Sequence, residues 1–278
     1  MTILDRILEE TRATLMRRKQ RYSRAYLESL PYFSTPTLGL ADALRRGGPM
    51  ALIAEIKPAS PSAGQIRRRI DPVQIAIGYR HAGASALSVL TEEVFFGGSL
   101  DNLRHIRPWI DRPLLRKDFI IDEFQLYEAR AFGADAVLLI AAILDPVQLR
   151  DLCQGARALG LDVLLEVHDP EELDRVDFDL VRVVGVNNRN LRTFTVDLMH
   201  SIRLLAHLPP NVVRVSESGI RSAEDLLLLY RHGVEAALIG ESLMRAPDPG
   251  EALYQLRRAF HALLEQTPVE DLRDHESG

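Results

Sequence analysis

A single (β/α)8 TIM barrel with an N-terminal helical extension is the fold that this chain of 278 residues predicts. Three observations carry that expectation. From residue 51 onward, short runs rich in Val, Ile, Leu and Ala alternate with longer stretches of helical period, the rhythm of βα units. Eight such units follow one another, and each apolar run is trailed by a stretch long enough to return the chain to a parallel neighbour. The strand runs are apolar on both faces, as a sheet covered throughout by helices requires. An open doubly wound sheet is the alternative. Its dinucleotide-binding form carries Gly-x-Gly-x-x-Gly after the first strand, where this chain reads Lys57-Pro58-Ala59-Ser60-Pro61-Ser62.

Residues 1–50 precede the first strand. Ile3, Leu4, Ile7, Leu8, Thr11 and Leu15 recur at helical spacing, so a helix docked on the barrel is expected there. The basic cluster Arg17-Arg18-Lys19, with Arg21 and Arg24, reads as a solvated helix face; recruitment of an anionic partner or substrate is its functional alternative. Strands are expected at 51–57, 85–90, 113–117, 135–140, 162–166, 181–187, 211–216 and 235–239. Helices follow at 71–82, 99–107, 122–132, 145–159, 169–176, 197–207, 221–232 and 249–264. Asp71-Pro72, Asp145-Pro146 and Asp169-Pro170 each set a capping carboxylate beside a proline whose fixed φ suits a first turn, and Pro249 opens the last helix. Ser222 and Asp225 have the spacing of a capping box. The barrel therefore spans 51–264, and 265–278 is a polar, aperiodic tail expected to fray.

Hydrophobic residues make up 46% of the chain, ample for a full core. A net charge of −5 and a pI near 5.9 argue against nucleic acid as a partner, since such binding needs a basic face. Cys153, the only cysteine, falls in a helical stretch and reads as a buried inert thiol, which excludes disulfide frameworks and cysteine-rich metal sites. No segment approaches the length of uncharged apolar sequence that spans a bilayer, so no membrane association and a cytoplasmic location are expected. No metal is expected either. The eight histidines fall mainly on helices or in the tail, His275 among them, and His168 after the fifth strand reads as a loop residue. Protein partners are not legible in the sequence.

Only three lysines, Lys19, Lys57 and Lys117, stand against 31 arginines. Arginine serves wherever a positive charge suffices, but its guanidinium does not give up its proton; lysine can, and a lowered pKa would suit it to that task. Lys57 and Lys117 end the first and third strands, and a βα barrel gathers its active site at the C-terminal ends of its strands. The same rim carries Glu55, Glu166, Asn187, Arg189, Glu217 and Ser218. Two lysines and three glutamates directed at one mouth are costly to bury without a ligand or a reaction, and their mutual pairing tunes the pKa values that acid–base chemistry needs. After strands seven and eight, Glu217-Ser218-Gly219-Ile220 and Gly240-Glu241-Ser242 supply paired glycine turns at the recurrent phosphate site of such barrels. Ser60 could add a hydroxyl there. A phosphorylated small molecule is the implied ligand. Phe95, Phe96 and Phe119 are available as an aromatic wall, with core packing as the simpler account of each.

Together these residues resemble the indole-3-glycerol-phosphate synthase family of tryptophan biosynthesis. The resemblance spans residues 50–246 and rests on Ile53-Ala54-Glu55-Ile56-Lys57-Pro58-Ala59-Ser60-Pro61-Ser62, Leu114-Leu115-Arg116-Lys117-Asp118-Phe119, Leu165-Glu166-Val167-His168, Val186-Asn187-Asn188-Arg189, Ser216-Glu217-Ser218-Gly219-Ile220 and Leu238-Ile239-Gly240-Glu241-Ser242-Leu243-Met244. It departs from the family pattern at Asn190, where Asp is common, and at Gly97, where a polar amide is common.

The resemblance implies a TIM-barrel carbon–carbon lyase. It would convert 1-(2-carboxyphenylamino)-1-deoxyribulose 5-phosphate to indole-3-glycerol phosphate, carbon dioxide and water, with no cofactor. Lys117 would be the general acid at the ribulose carbonyl, and Glu166 would stabilise the cationic intermediate or take a proton. Lys57 would sit between the substrate carboxylate and phosphate. Glu55, Asn187, Arg189, Glu217 and Ser218 would orient the reacting groups. Ser60, Gly219, Gly240 and the backbone of Glu241 would hold phosphate, and Phe96, Phe119 and Leu138 would pack on the anthranilate ring. Two other classes fit the residues alone: an aldolase barrel with Lys117 as a Schiff base, and a non-catalytic phosphosugar-binding barrel.

Overall fold

A computed structural model describes residues 2–190 and 194–268. Leu191 and the segment 269–278, with His275, lie outside the described residues. Eight parallel strands close a barrel in sequence order: β1 (Ala51–Ile56), β2 (Ala86–Leu90), β3 (Leu114–Lys117), β4 (Ala136–Ile140), β5 (Asp162–Val167), β6 (Val183–Asn187), β7 (Val213–Glu217) and β8 (Ala236–Ile239). The last strand returns to the first with Ala51 opposite Ala236 and Ile53 opposite Leu238. Each sits within two residues of its expected position. An unforeseen pair of two-residue strands, Ala59–Ser60 and Gly64–Gln65, folds the loop after β1 back on itself.

Three helices precede the barrel where one was expected: α1 (Ile3–Arg21), α2 (Arg24–Glu28) and α3 (Leu40–Arg45). The outer helices are α4 (Pro72–His81), α5 (Leu100–Ile106), α6 (Glu123–Ala131), α7 (Pro146–Ala158), α8 (Pro170–Leu173), α9 (Leu198–Leu205) and α10 (Ala223–Arg231). After β8 come a short α11 (Glu241–Arg245) and then α12 (Pro249–Gln266). The Asp71 and Asp145 side chains accept from first-turn N–H groups with proline at the start of each helix, and Ser222 with Asp225 forms the reciprocal box. Asp169 stands at the start of α8 without a side-chain capping bond.

The period of two in each strand sorts the core into two layers. Ile53, Leu115, Leu138, Leu164, Val215 and Leu238 fill the barrel interior, and α3 closes its lower end with Leu40, Ala41 and Leu44. The alternate residues, such as Leu52, Val89, Leu139, Leu165 and Val184, pack outward against the helices. Cys153 belongs to this outer layer, where burial pushes its thiol up to about 12 with Asp177 adding to the rise.

The basic cluster is largely the solvated face that was expected, with Arg17, Lys19, Arg21 and Arg24 exposed, but Arg18 is drawn in and several of the charges are paired. Arg18 reaches Glu93 at 2.8 Å and Glu128 at 3.4 Å, Lys19 reaches Asp122 at 2.7 Å, and Arg17 pairs back to Glu10 on its own helix. Glu128 on α6 is fully buried and also receives Arg116, the outward-facing neighbour of Lys117 on β3, at 3.2 Å. A buried carboxylate needs cations, and α1 supplies one of them. The extension is thus held by charge at α1 and by apolar packing at α2, where Leu27 is wholly buried and α2 lies on α6. Truncating Leu27→Ala is expected to cost about 2–5 kcal/mol in urea unfolding, the usual loss for a buried leucine. A change within about 0.5 kcal/mol would show that the extension does not fold with the barrel.

Candidate active site

The strand period that fills the interior with aliphatic residues also turns the next inward position of several strands toward the upper rim. Ile53 is followed two residues later by Glu55, Leu115 by Lys117, Leu164 by Glu166 and Val215 by Glu217. These side chains meet. The Lys117 ammonium stands 2.7 Å from Glu217 Oε2 and 3.1 Å from Glu166 Oε2. Lys57 donates to Glu55 Oε1 at 2.8 Å, and Ser88 on β2 donates to Glu55 Oε2 at 3.0 Å. Asn187 Nδ2 approaches Glu166 Oε1 at 3.4 Å, while its own oxygen accepts from the Arg189 N–H at 3.0 Å.

Two inward positions carry glycine for a steric reason. A Cβ on Gly185 would collide with Glu217 Oε1, and one on Gly240 would stand 2.6 Å from Glu55 Oε1. Glycine on β6 and after β8 therefore makes the room that two glutamates occupy.

Three carboxylates face two ammonium groups, and this excess decides the protonation of the cluster. Burial alone would lower the Lys117 pKa, but Glu217, Glu166 and Glu55 together raise it above the ordinary lysine value. The lowered pKa expected from the sequence is therefore corrected: a desolvated lysine loses its proton only if carboxylates do not surround it. Burial opposes ionisation of Glu55 and Glu166 too, yet Lys57 and Lys117 hold Glu55 low, and Lys117, His168 and Asn187 hold Glu166 low. Glu217 is the surplus acid. Burial pushes it up to about 7; Lys117 opposes that rise, and Glu166 and Glu55 add to it.

Above the charges lies a cavity of about 410 Å³. Every residue that the family resemblance places at the site lines it, from Glu55, Lys57 and Ser60 on one side to Ser218, Gly219, Gly240 and Glu241 on the other. Phe96 and Phe119 stand with ring centroids 6.0 Å apart on the wall that Leu138 shares. Phe95 is not among the lining residues; the Arg6 guanidinium of α1 sits over its ring. At the opposite end Ser218 and Gly219 both have positive φ, 65° and 82°, and a Cβ on Gly219 would overlap Val196. Beside this turn the first N–H groups of α11 have no intrahelical acceptor. The Glu241 side chain is held by Arg189 at 3.1 Å and Arg245 at 3.0 Å. Gly97, near the aromatic wall, has φ of 64°, a conformation that glycine or an asparagine-type amide tolerates.

The family model of indole-3-glycerol phosphate synthase matches residues 4–256. The chain belongs to that family. The indole-3-glycerol phosphate synthase of Salinibacter ruber is 50% identical over 259 residues, covering 92% of this chain and 96% of that protein. The enzyme of the same name from Rhodopirellula baltica is 48% identical over 248 residues, covering 89% and 96%. Among solved structures, tryptophan synthase subunit alpha from Legionella pneumophila superposes with a TM-score of 0.59 at 13% identity, over 81% of this chain and 99% of that one. 3-Hexulose-6-phosphate synthase from Salmonella typhimurium gives 0.61 at 14%, over 77% and 99%. These two likenesses are of fold. The family model begins at Leu4, so the family resemblance takes in α1 as well as the barrel.

Several lining residues of this family member were not legible. Ile3, Leu4 and Ile7 bring the N-terminal end of α1 to the cavity, although their helical stripe was read only as a docking face. Arg221 and Arg245 add cations at the Gly219 end, the second signalled only by its spacing of four from Glu241. Among the described residues no group of three or more His, Cys, Asp or Glu side chains could hold a metal ion, and no helix is long and apolar enough to cross a membrane.

The surplus acid has a measurable consequence. Because the folded pKa of Glu217 lies above its usual 4.5, its contribution to stability is complete below that value and is lost as pH rises through about 7. Glu217→Gln cannot lose this proton, so between about pH 5 and about pH 8 the variant should gain about 1–3 kcal/mol on wild type in urea unfolding. A difference independent of pH would contradict a raised Glu217.

Proposed function

We propose that this chain converts 1-(2-carboxyphenylamino)-1-deoxyribulose 5-phosphate to indole-3-glycerol phosphate, with release of carbon dioxide and water. The observation that carries the reading is the Lys117 ammonium, held between Glu166 and Glu217 beneath a wall of Phe96, Phe119 and Leu138. An anthranilate ring against that wall and a phosphate at the Ser218–Gly219 turn would bring the ribulose carbonyl between them, toward Lys117 and Lys57. Ser60, Gly219, Gly240 and the Glu241 backbone would hold the phosphate, while the ring packs on aromatic and aliphatic faces.

Each step then has a group of the right type. Attack of the carboxylate-bearing ring carbon on the ketone forms a carbon–carbon bond and puts negative charge on the carbonyl oxygen. Lys117 gives that oxygen its proton. A developing alkoxide is more basic than any ammonium, so a lysine kept fully protonated by its carboxylates is a loaded donor and needs no lowered pKa. The ring is now cationic. Glu166 stabilises it, and breaking of the bond to the carboxylate carbon returns the electron pair to the ring as carbon dioxide leaves. Lys57 next protonates the hydroxyl, which departs as water, and Glu166 takes a proton from the adjacent ring carbon to complete the indole. Two protons are given and one is taken, so each turnover draws one proton from solvent, as loss of carbon dioxide from a carboxylate requires. Glu55 orients Lys57, the three glutamates together keep Lys117 charged, Asn187 orients Glu166, and Arg189 with Ser218 shapes the phosphate end.

The substrate is a small phosphorylated molecule. We read no role for nucleic acid or membrane, and a charged sugar phosphate would be met in the cytoplasm where it is made, because such molecules do not cross bilayers unaided.

The test follows indole fluorescence as the ribulose phosphate is consumed. Lys117→Arg should retain substrate binding within about tenfold and lose at least about a hundredfold in kcat, because the guanidinium keeps the charge but does not release its proton. Turnover near wild type in that variant would overturn the general-acid role. A borohydride-trapped covalent adduct at Lys117 would instead favour a Schiff-base aldolase.

A further inference from the structure

The loop leaving β5 sets one more titratable side chain at the cavity, and none of the steps above uses it. Glu166 points inward, Val167 is buried outward, and His168 returns to the inner side, so its ring stands next above Glu166 toward the mouth. Both ring nitrogens are buried and neither has a hydrogen-bond partner. Buried polar atoms are normally paired, and an orphan in a cavity wall signals a partner that arrives later. The main chain is already fixed: the His168 N–H donates to Glu172 Oε2 at 2.8 Å. Only the ring awaits a contact.

Its nearest acceptor is the reacting carboxylate. His168 Nε2 lies 3.6 Å from Glu166 Oε1, just outside hydrogen-bonding reach. In the resting site Glu166 has Lys117 on Oε2 at 3.1 Å and Asn187 at 3.4 Å from Oε1. The mechanism removes the first of these, since Lys117 must turn to the carbonyl oxygen. Glu166 would then be a buried carboxylate left with a single long contact, at the stage when it has to remain ionised to act as a base. A carboxylate so stranded takes up a proton from its surroundings. The other titratable groups packed around it are acids: Glu55 on β1 is held ionised and Glu217 on β7 adds a negative charge as pH rises through about 7, so both worsen that tendency.

We propose that His168 is the positioning residue that replaces Lys117 at this stage, its Nε2–H donating to Glu166 Oε1 and holding the carboxylate oriented and ionised for the final proton abstraction. The inference rests on the assignment of Glu166 as the base. The neutral ring suffices, because the required group is the N–H donor, which the imidazolium also offers. In the same geometry a cavity wall of equal size without a donor fills the space and does not hold the carboxylate.

The experiment compares wild type, His168→Phe and His168→Gln in the full chain, recording kcat and KM across the acid side of the pH profile. A donor to the ionised form lowers a carboxylate pKa, so its loss should move the acid limb of kcat to higher pH. His168→Phe is expected to lose about tenfold or more in kcat with KM within about threefold, and to shift that limb upward by about half a pH unit or more. His168→Gln, whose amide donates, should return the limb toward the wild-type position. An acid limb unmoved in His168→Phe overturns the proposal, whatever happens to the amplitude, because a poorly folded variant lowers kcat without moving it. A rise in KM alone would make His168 a wall residue only. Wild type without turnover would instead defeat the activity itself, so the two failures are distinct.

Discussion

The Lys117 ammonium, buried between Glu166 and Glu217 at the top of a barrel, is the charge around which the rest of the upper layer is arranged. Removing an ammonium from water is expensive, and only close carboxylates in good geometry offset that cost. The barrel provides them from three different strands, which is possible because parallel strands in register bring their C-terminal positions to one level. Their supply then creates a second requirement. Carboxylates outnumber ammonium groups, so Lys57 holds Glu55 and Glu217, the surplus acid, keeps its proton up to about pH 7. Gly185 and Gly240 follow from the same constraint, since side chains there would expel the glutamates.

The strand that carries Lys117 faces two ways. Inward it presents the ammonium; outward, one residue earlier, it presents Arg116, fully buried and bound to Asp118, Glu128 and the carbonyl of Gln125. Glu128 is shared with Arg18 on α1, whose N-terminal turn reaches the cavity through Ile3, Leu4 and Ile7. One continuous set of charges therefore ties the N-terminal helix to the outer side of the strand whose inner side bears the proton donor. The extension is part of the site's wall as well as a cover for the barrel.

Much of this was legible in the sequence, because the signals were local. The apolar runs and their helical sequels locate each strand to within two residues, and the rule that barrel sites lie beyond strand ends gathers Glu55, Lys57, Lys117, Glu166 and Glu217 from the sequence alone. What escaped depends on contacts between distant positions. Arg18 and Glu128 are 110 residues apart, so their pairing leaves no local pattern to set Arg18 apart from its exposed neighbours Arg17 and Lys19. The sign of the Lys117 shift escaped for the same reason: burial of one lysine can be guessed, but the balance is set by how many carboxylates close on it. His168 looked like a loop residue because nothing in the sequence says which way the ring turns after β5.

The central claim is that Lys117 enters the reaction as a permanently charged donor. Nitrogen NMR of the lysine ammonium groups addresses it directly, since only three lysines occur and the Lys117 signal is identified by its loss in Lys117→Arg. The account predicts that this group keeps its proton at and beyond the ordinary lysine value of 10.5 for as long as the protein stays folded. Loss of the proton below that value in the free protein would contradict it, and would mean that desolvation outweighs the carboxylates of Glu166, Glu217 and Glu55.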